Sequence, residues 1–372
     1  MKRFWINGIY NSAVLLLGIV HIKVLFYFID KDILNTFFYF QALIMFAGTI
    51  PMVAFEITFQ NFVPKSEEEG RRKILGNALL ISTLIYLLLS AIVSLYRREA
   101  LPYVPLMYAT VILSLMISYS RAMSRFHLAN GIYIVSILLT ISGLWIFRPG
   151  SPIAIASIYF ISGAIPAIIS LPLFKPIFRM ELSRDFIQYL KGSLFAVITS
   201  PIMRYWDRIL LERVSPQHIA GFTLVRRIDR LLRQILSSFM IWIIPRLSNP
   251  RTREKTVKMF FPSYIALSLL LVSGEILAGR WLLRVFARAD YAAYYPVLLI
   301  FALTLLISSI YSFKMTLLRL SGRIEPFVVH NYLFSIVFVI ASLFLLKFSV
   351  AGIATAFLIA TLSAALYIMT VR

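Results

Sequence analysis

Residues 74–96 read ILGNALLISTLIYLLLSAIVSLY, 23 positions without one charged side chain, bracketed by Arg71-Arg72-Lys73 on one side and Arg97-Arg98 on the other. A run of that length wound as an α-helix matches the roughly 30 Å hydrocarbon core of a bilayer. The rest of the chain repeats the pattern. Of 372 residues, 60% are hydrophobic and only 14% charged, and mean hydropathy is +0.85. No water-soluble fold hides so much apolar surface, so a soluble protein is excluded. At bilayer depth every backbone N–H and C=O must be satisfied internally. Long unbroken apolar runs do this as helices, whereas the strands of a barrel would alternate. The fold class expected is an all-α membrane protein.

Reading apolar runs between charged or Pro/Gly breaks gives twelve spans, starting near Ile6, Ile33, Ile74, Pro102, Ala129, Ser151, Phe186, Ile219, Met259, Ala292, Pro326 and Ser349. The first is too long for a signal-peptide core and lacks a small-residue cleavage site, so it reads as a retained helix. The connections are short, and no loop is large enough to fold by itself. Any binding chemistry must therefore sit among the helices. The absence of cysteine removes disulfides and thiolate chemistry, and His21, His127, His218 and His330 are scattered without ligand spacing. Neither a metal nor a cofactor is expected.

The formal net charge of +21 raises nucleic acid as a partner, but the cations lie at helix ends rather than on a soluble surface. Topology explains them better. With the spans numbered alternately, one side collects about twice as many Lys and Arg as the other, including Lys65, Arg71, Arg72, Lys73, Lys175 and Arg179. The positive-inside rule then makes both termini cytoplasmic, in a multi-pass protein of the cytoplasmic membrane. The same excess attracts anionic membrane lipids on that leaflet, as a general effect.

Internal similarity suggests a duplication. Arg121-Ala122-Met123-Ser124-Arg125 resembles Arg319-Leu320-Ser321-Gly322-Arg323 at an offset of 198, and the same offset relates residues 151–156 to residues 349–354. More loosely, Gly8, Ile33 and Pro64-Lys65 align with Gly192, Ile219 and Pro245-Arg246. These matches suggest two parallel six-helix lobes, residues 1–180 and residues 181–372, around a central cavity.

Some charges fall where the membrane should reject them. Span eight contains Arg226, Arg227, Asp229, Arg230 and Arg233. An arginine near the bilayer centre costs roughly 2.5–3.5 kcal/mol on insertion scales. Arg226, Arg230 and Arg233 share one helical face, which is expected to look into a polar cavity. Span seven adds Arg204, Asp207 and Arg208. Two acids against several cations leave a cationic cleft suited to an anion; the competing reading is a salt-bridge network that only locks the two helices. An interfacial position for span eight is opposed by the apolar run 239–244. Lys23 and Lys314 lie close enough to helix ends to snorkel or, alternatively, to line a pathway. Glu56 and Glu275 read equally as ion-coupling carboxylates or as partners of nearby arginines. Pro51, Pro166 and Pro201 are expected to interrupt or kink their spans.

In their order and spacing, Asp207-Arg208-Ile209-Leu210-Leu211, Ile219-Ala220-Gly221-Phe222, Arg226-Arg227 and Pro245-Arg246-Leu247-Ser248 resemble the seventh and eighth helices of polysaccharide flippases of the O-antigen type. Those flippases belong to the multidrug, oligosaccharidyl-lipid and polysaccharide exporter superfamily. Phe286, Tyr291, Ala293, residues 318–323 and Gly352-Ile353-Ala354 continue the resemblance. It implies an alternating-access transporter whose cationic cavity takes a lipid-linked sugar pyrophosphate, working beside other polysaccharide-assembly proteins. Asp207 and Arg226-Arg227 fall on the family's usual acidic and basic positions, whereas Arg230 and Arg233 are additional. Ala287 stands where that family commonly has glycine, and the chain is short for it. Guanidinium groups suit the implied ligand, because they bind phosphate bidentately. An integral-membrane glycan polymerase or glycosyltransferase would be expected to carry acids or histidines on a large outer loop, and the longest outer loop here holds Asp290 alone. The reading is therefore not an enzyme. A drug exporter of the same fold would favour acids over arginines in the cavity.

Overall fold

The computed structural model describes residues 2–179, 184–247, 250–320, 323 and 325–371. Met180, Ser248, Ser321, Gly322 and Arg372, which carry parts of the sequence reading, lie outside the described residues. Among those described there is no β-strand. The helices are α1 (Lys2–Phe28), α2 (Lys31–Phe62), α3 (Glu68–Tyr96), α4 (Val104–Ala122), α5 (Phe126–Phe147), α6 (Pro152–Phe174), α7 (Arg184–Val197), α8 (Ser200–Val214), α9 (Ile219–Leu247), α10 (Pro250–Phe286), α11 (Tyr295–Leu320), α12 (Glu325–Phe344) and α13 (Ser349–Thr370).

Among the described residues, ten stretches of helix are long and apolar enough to cross a membrane, and the shorter apolar stretch Ser12–Phe28 of α1 stands beside them. The chain is a multi-pass membrane protein. The eighth span of the sequence reading, α9, falls outside those ten. At 29 residues it has ample length, about 43 Å at the usual rise. Its four internal arginines and Asp229 are what lower its hydropathy. The seventh span is two helices, α7 and α8, separated by a turn at Ile198 and Thr199. Pro201 falls in the first turn of α8, where its missing N–H costs nothing because that donor would have no intrahelical partner. Pro51 and Pro166, by contrast, sit within the continuous helices α2 and α6.

The chain divides into two compact units, residues 1–209 and 210–372. This division lies about one and a half helices beyond the 180/181 boundary suggested by the repeat. In the first unit α4 packs on α2, α3, α5 and α6, and α7 packs on α2. In the second, α11 packs on α9, α10 and α13, and α12 on α13. The core of unit 2 joins Leu236, Met240 and Ile243 of α9 to Phe260, Tyr264 and Val272 of α10 and to Ala302, Leu305 and Phe313 of α11. One face of α9 is thus committed to packing.

Among the close approaches that need glycine, two matter most here. At Gly76 of α3 a Cβ would lie 2.0 Å from the Ile177 carbonyl oxygen, so the chain leaving α6 crosses α3 where only a hydrogen fits. At Gly221 of α9 a Cβ would lie 2.0 Å from the Tyr294 ring, which explains the glycine in Ile219-Ala220-Gly221-Phe222.

Candidate functional site

The polar face of α9 is held within unit 2 by α10 and α11. Asp229 and Arg233 are one turn apart with the acid nearer the N-terminus, the favourable order for a helical ion pair. Arg233 Nε donates to both Asp229 carboxylate oxygens, at 3.0 and 2.9 Å. Its Nη2 donates to Thr304 Oγ1 at 3.0 Å, and its Nη1 to Ser308 Oγ. Three of the guanidinium nitrogens therefore have partners on two helices. Asp229 is buried, whereas 31% of the Arg233 side chain stays accessible.

That accessible part faces a cavity of about 370 Å³ lined by α9, α10 and α11, whose polar wall includes Tyr264, Ser308, Tyr311 and Ser312. The α11 wall is a ladder. Thr304, Ser308, Ser312 and Thr316 recur every fourth residue, so they stack on one helical face. Each hydroxyl donates to a carbonyl one turn back, of Phe301, Leu305, Ser308 and Ser312 respectively, which leaves its oxygen lone pairs as acceptors. Tyr264 OH lies 3.3 Å from Ser312 Oγ. Glu275 of α10 is 1% exposed, and its charged neighbours are Asp229 and Arg233. Neither of its carboxylate oxygens makes a hydrogen bond among the described residues.

The remaining arginines of α9 are housed differently. Arg226 lies over the rings of Phe301 on α11 and Phe357 on α13, 5.3 and 4.3 Å from their centroids. Arg227 is half-buried and Arg230 exposed. The shared face of Arg226, Arg230 and Arg233 is real as geometry, but the three side chains have three different environments.

The charges of the seventh span form a local group in unit 1. Asp207 is 1% exposed, and its Oδ1 accepts from the Arg208 backbone N–H at 2.8 Å and from Arg208 Nε at 3.4 Å. Arg208 Nη2 also donates to the Arg204 carbonyl, and its guanidinium lies 4.9 Å from the Tyr205 ring centroid. The Arg204 side chain is exposed. Lys23 on α1 is exposed and Glu56 on α2 half-buried. Lys314 Nζ donates to the Met369 carbonyl at 2.9 Å, satisfying an orphan acceptor in the last turn of α13. Unit 2 thus brings Asp229, Arg233 and Glu275 together. The hydroxyl ladder is part of the same site and was missed in the sequence, although its four-residue period is plainly written there.

No protein-family profile matches the chain, and no curated protein matches it. Solved structures do. A lipid II flippase MurJ in an inward closed conformation aligns with a TM-score of 0.82 at 15% identity, covering 99% of this chain and 87% of that one. A multidrug resistance MATE family transporter of the MOP superfamily, in an inward-facing conformation, aligns with a TM-score of 0.72 at 13% identity over 96% of this chain and 92% of that one. The outward-facing conformation of a transporter of that description aligns at 0.66, with 13% identity and coverage of 96% and 93%. The chain has the fold of these flippase and multidrug-transporter structures.

Proposed function

We propose that the protein is a transporter that moves an anionic amphipath, a lipid-linked oligosaccharide or polysaccharide precursor carrying a pyrophosphate, across the cytoplasmic membrane by alternating access. The observation that carries this reading is Arg233 at the wall of a membrane-embedded cavity, with hydroxyl acceptors and donors around it and part of its surface open. A guanidinium there can trade its hydroxyl partners for phosphate oxygens without leaving the cavity. The four internal arginines of α9 against its single acid, Asp229, agree with an anionic cargo. The likeness to a lipid II flippase supports a lipid-linked cargo. In this reading the cations must release as well as hold, and partial neutralisation of Arg233 by Asp229 moderates its grip. Residues 1–180 and 181–372 then act as two six-helix lobes that rock about the substrate path, with both termini cytoplasmic and Arg204, Asp207, Arg226, Arg227 and Arg230 contributing to the path. The work is transport rather than catalysis.

A second reading has an observation of its own. Glu275 is a buried carboxylate without a hydrogen-bond partner beside Asp229, an arrangement that would receive a cation, and multidrug transporters share the fold. In that case the protein exports a cationic small molecule, or Glu275 carries a coupling ion. Reconstituted proteoliposomes separate the readings. With a fluorescent lipid-pyrophosphate sugar as probe, Arg233→Ala should slow flipping at least tenfold and Arg230→Ala severalfold. Unchanged flipping in both variants, with cationic dye export abolished by Glu275→Gln, would overturn the first reading in favour of the second.

A further inference from the structure

Unit 1 contains a second and larger cavity, of about 610 Å³, enclosed by α3, α4 and α6. Most of its wall is hydrocarbon and aromatic carbon, with Leu79 and Leu80 on α3, Ile112 on α4, Phe160 and Ile168 on α6, and Phe178 just beyond α6, and no charged side chain lines it among the described residues. Its hydroxyls are largely engaged, Ser157 donating to the Ile153 carbonyl at 3.0 Å. Tyr108 OH lies 2.8 Å from Thr83 Oγ1, and Thr83 Oγ1 donates to the Leu79 carbonyl at 2.8 Å. The cavity therefore offers little to a polar ligand. Its flanks are apolar and exposed: Leu87 and Leu88 on α3 are 56% and 62% exposed, and Ile168 and Ile169 on α6 are 62% and 67% exposed. A bilayer chain can enter sideways from such a surface, because lipid is the solvent there.

One end of this cleft is charged. After α6, Lys175 adopts a left-handed conformation with φ 46°, which turns the chain so that residues 175–179 cross α3 at Gly76. The Ile177 N–H donates to the Arg72 carbonyl at 3.1 Å and fixes the crossing. Phe178 is thereby laid against the cleft, and Lys175 and Arg179 stand beside the first turns of α3. Glu68 and Glu69 there are already engaged by Arg72 and Lys73, the latter pair at 3.0 Å. Lys175 and Arg179 are both exposed, and residues 67–73 and 175–179 together carry five cations against three acids. A largely apolar slot with this cationic excess just past the Phe178 end of its lining is complementary to a molecule with a hydrocarbon chain and an anionic head.

We propose that the cleft between α3, α4 and α6 is a binding site for an anionic phospholipid, with an acyl chain in the slot and its phosphate beside Lys175 and Arg179. This inference does not depend on the identity of the transported substrate. It turns the general attraction of basic helix ends for anionic lipid into one site with defined walls.

The test uses the full-length protein in nanodiscs of phosphatidylcholine containing a trace of phosphatidylglycerol with a photoactivatable acyl chain. After illumination, labelled peptides are mapped by mass spectrometry. Label is expected on α3 and α6, and unlabelled phosphatidylglycerol should compete at least tenfold better than phosphatidylcholine. Ala164→Trp, which fills the slot, should reduce that label at least fivefold. Lys175→Gln combined with Arg179→Gln changes only exposed side chains, and should make the two competitors equal while label persists. Equal competition in the unaltered protein overturns the proposal, as does unchanged label in Ala164→Trp. Displacement of the probe by a long polyprenyl phosphate far more readily than by phosphatidylglycerol also overturns it, since the slot would then belong to the transported lipid's tail.

Discussion

The two cavities differ in charge. In unit 2 Arg233, hydroxyls of α11 and Tyr264 line the α9–α10–α11 cavity, and Asp229, the partner of Arg233, is buried. In unit 1 no charged side chain lines the α3–α4–α6 cleft among the described residues; its polar groups are hydroxyls, of which those of Tyr108 and Thr83 meet each other. Helices in a membrane gain no hydrophobic drive from burying leucine against leucine, so an inward polar surface is costly unless paired. The contrast therefore separates an interior where ionic contacts set stability from one where shape does.

Breaking each cavity should expose that difference. Arg233→Met leaves Asp229 buried without its cation, and should lower stability by about 3 kcal/mol, near the low end for a broken buried pair because Arg233 is partly accessible. Steric trapping of unfolding in bicelles would measure it, and adding Asp229→Leu should recover most of the loss. A double variant as unstable as the single one would show that the pair is not what holds α9. Gly76→Ala in unit 1 should cost about 2 kcal/mol by overpacking, since a Cβ meets the Ile177 backbone, and should free residues 175–179 to proteolysis. Tyr108→Phe removes the hydroxyl partner of Thr83 and should cost only about 0.6 kcal/mol, the average for hydrogen bonds between membrane helices. A loss there as large as that of Arg233→Met would erase the distinction.

Hydropathy alone marks nearly every helix, because a bilayer demands long apolar runs and tolerates few exceptions. The exception, α9, is legible as well: its arginines are conspicuous against that background, and one of them, Arg233, does stand at a cavity. What the sequence does not reveal is how each arginine is housed. Arg226 and Arg233 share a face and a residue type, yet Arg233 finds an acid one turn away whereas Arg226 finds Phe301 and Phe357, far along the chain on other helices. Long-range partners leave no local pattern. The α7/α8 break is half-legible, since Pro201 favours a helix start nearby, yet Pro51 and Pro166 sit in unbroken helices. Gly76 gives no hint of Ile177, because a close crossing is a property of two segments that the sequence keeps about a hundred positions apart. The α11 ladder, by contrast, is periodic in the sequence and could have been read there.

Resting a guanidinium on rings has an electrostatic sequel. A ring attracts a cation through its quadrupole and bears no net charge, so Phe301 and Phe357 hold Arg226 without themselves offsetting its charge. A carboxylate in the same place would have offset that charge and flattened the local potential, as Asp229 does for Arg233. Aromatic housing of this kind adds no negative charge to the interior of unit 2.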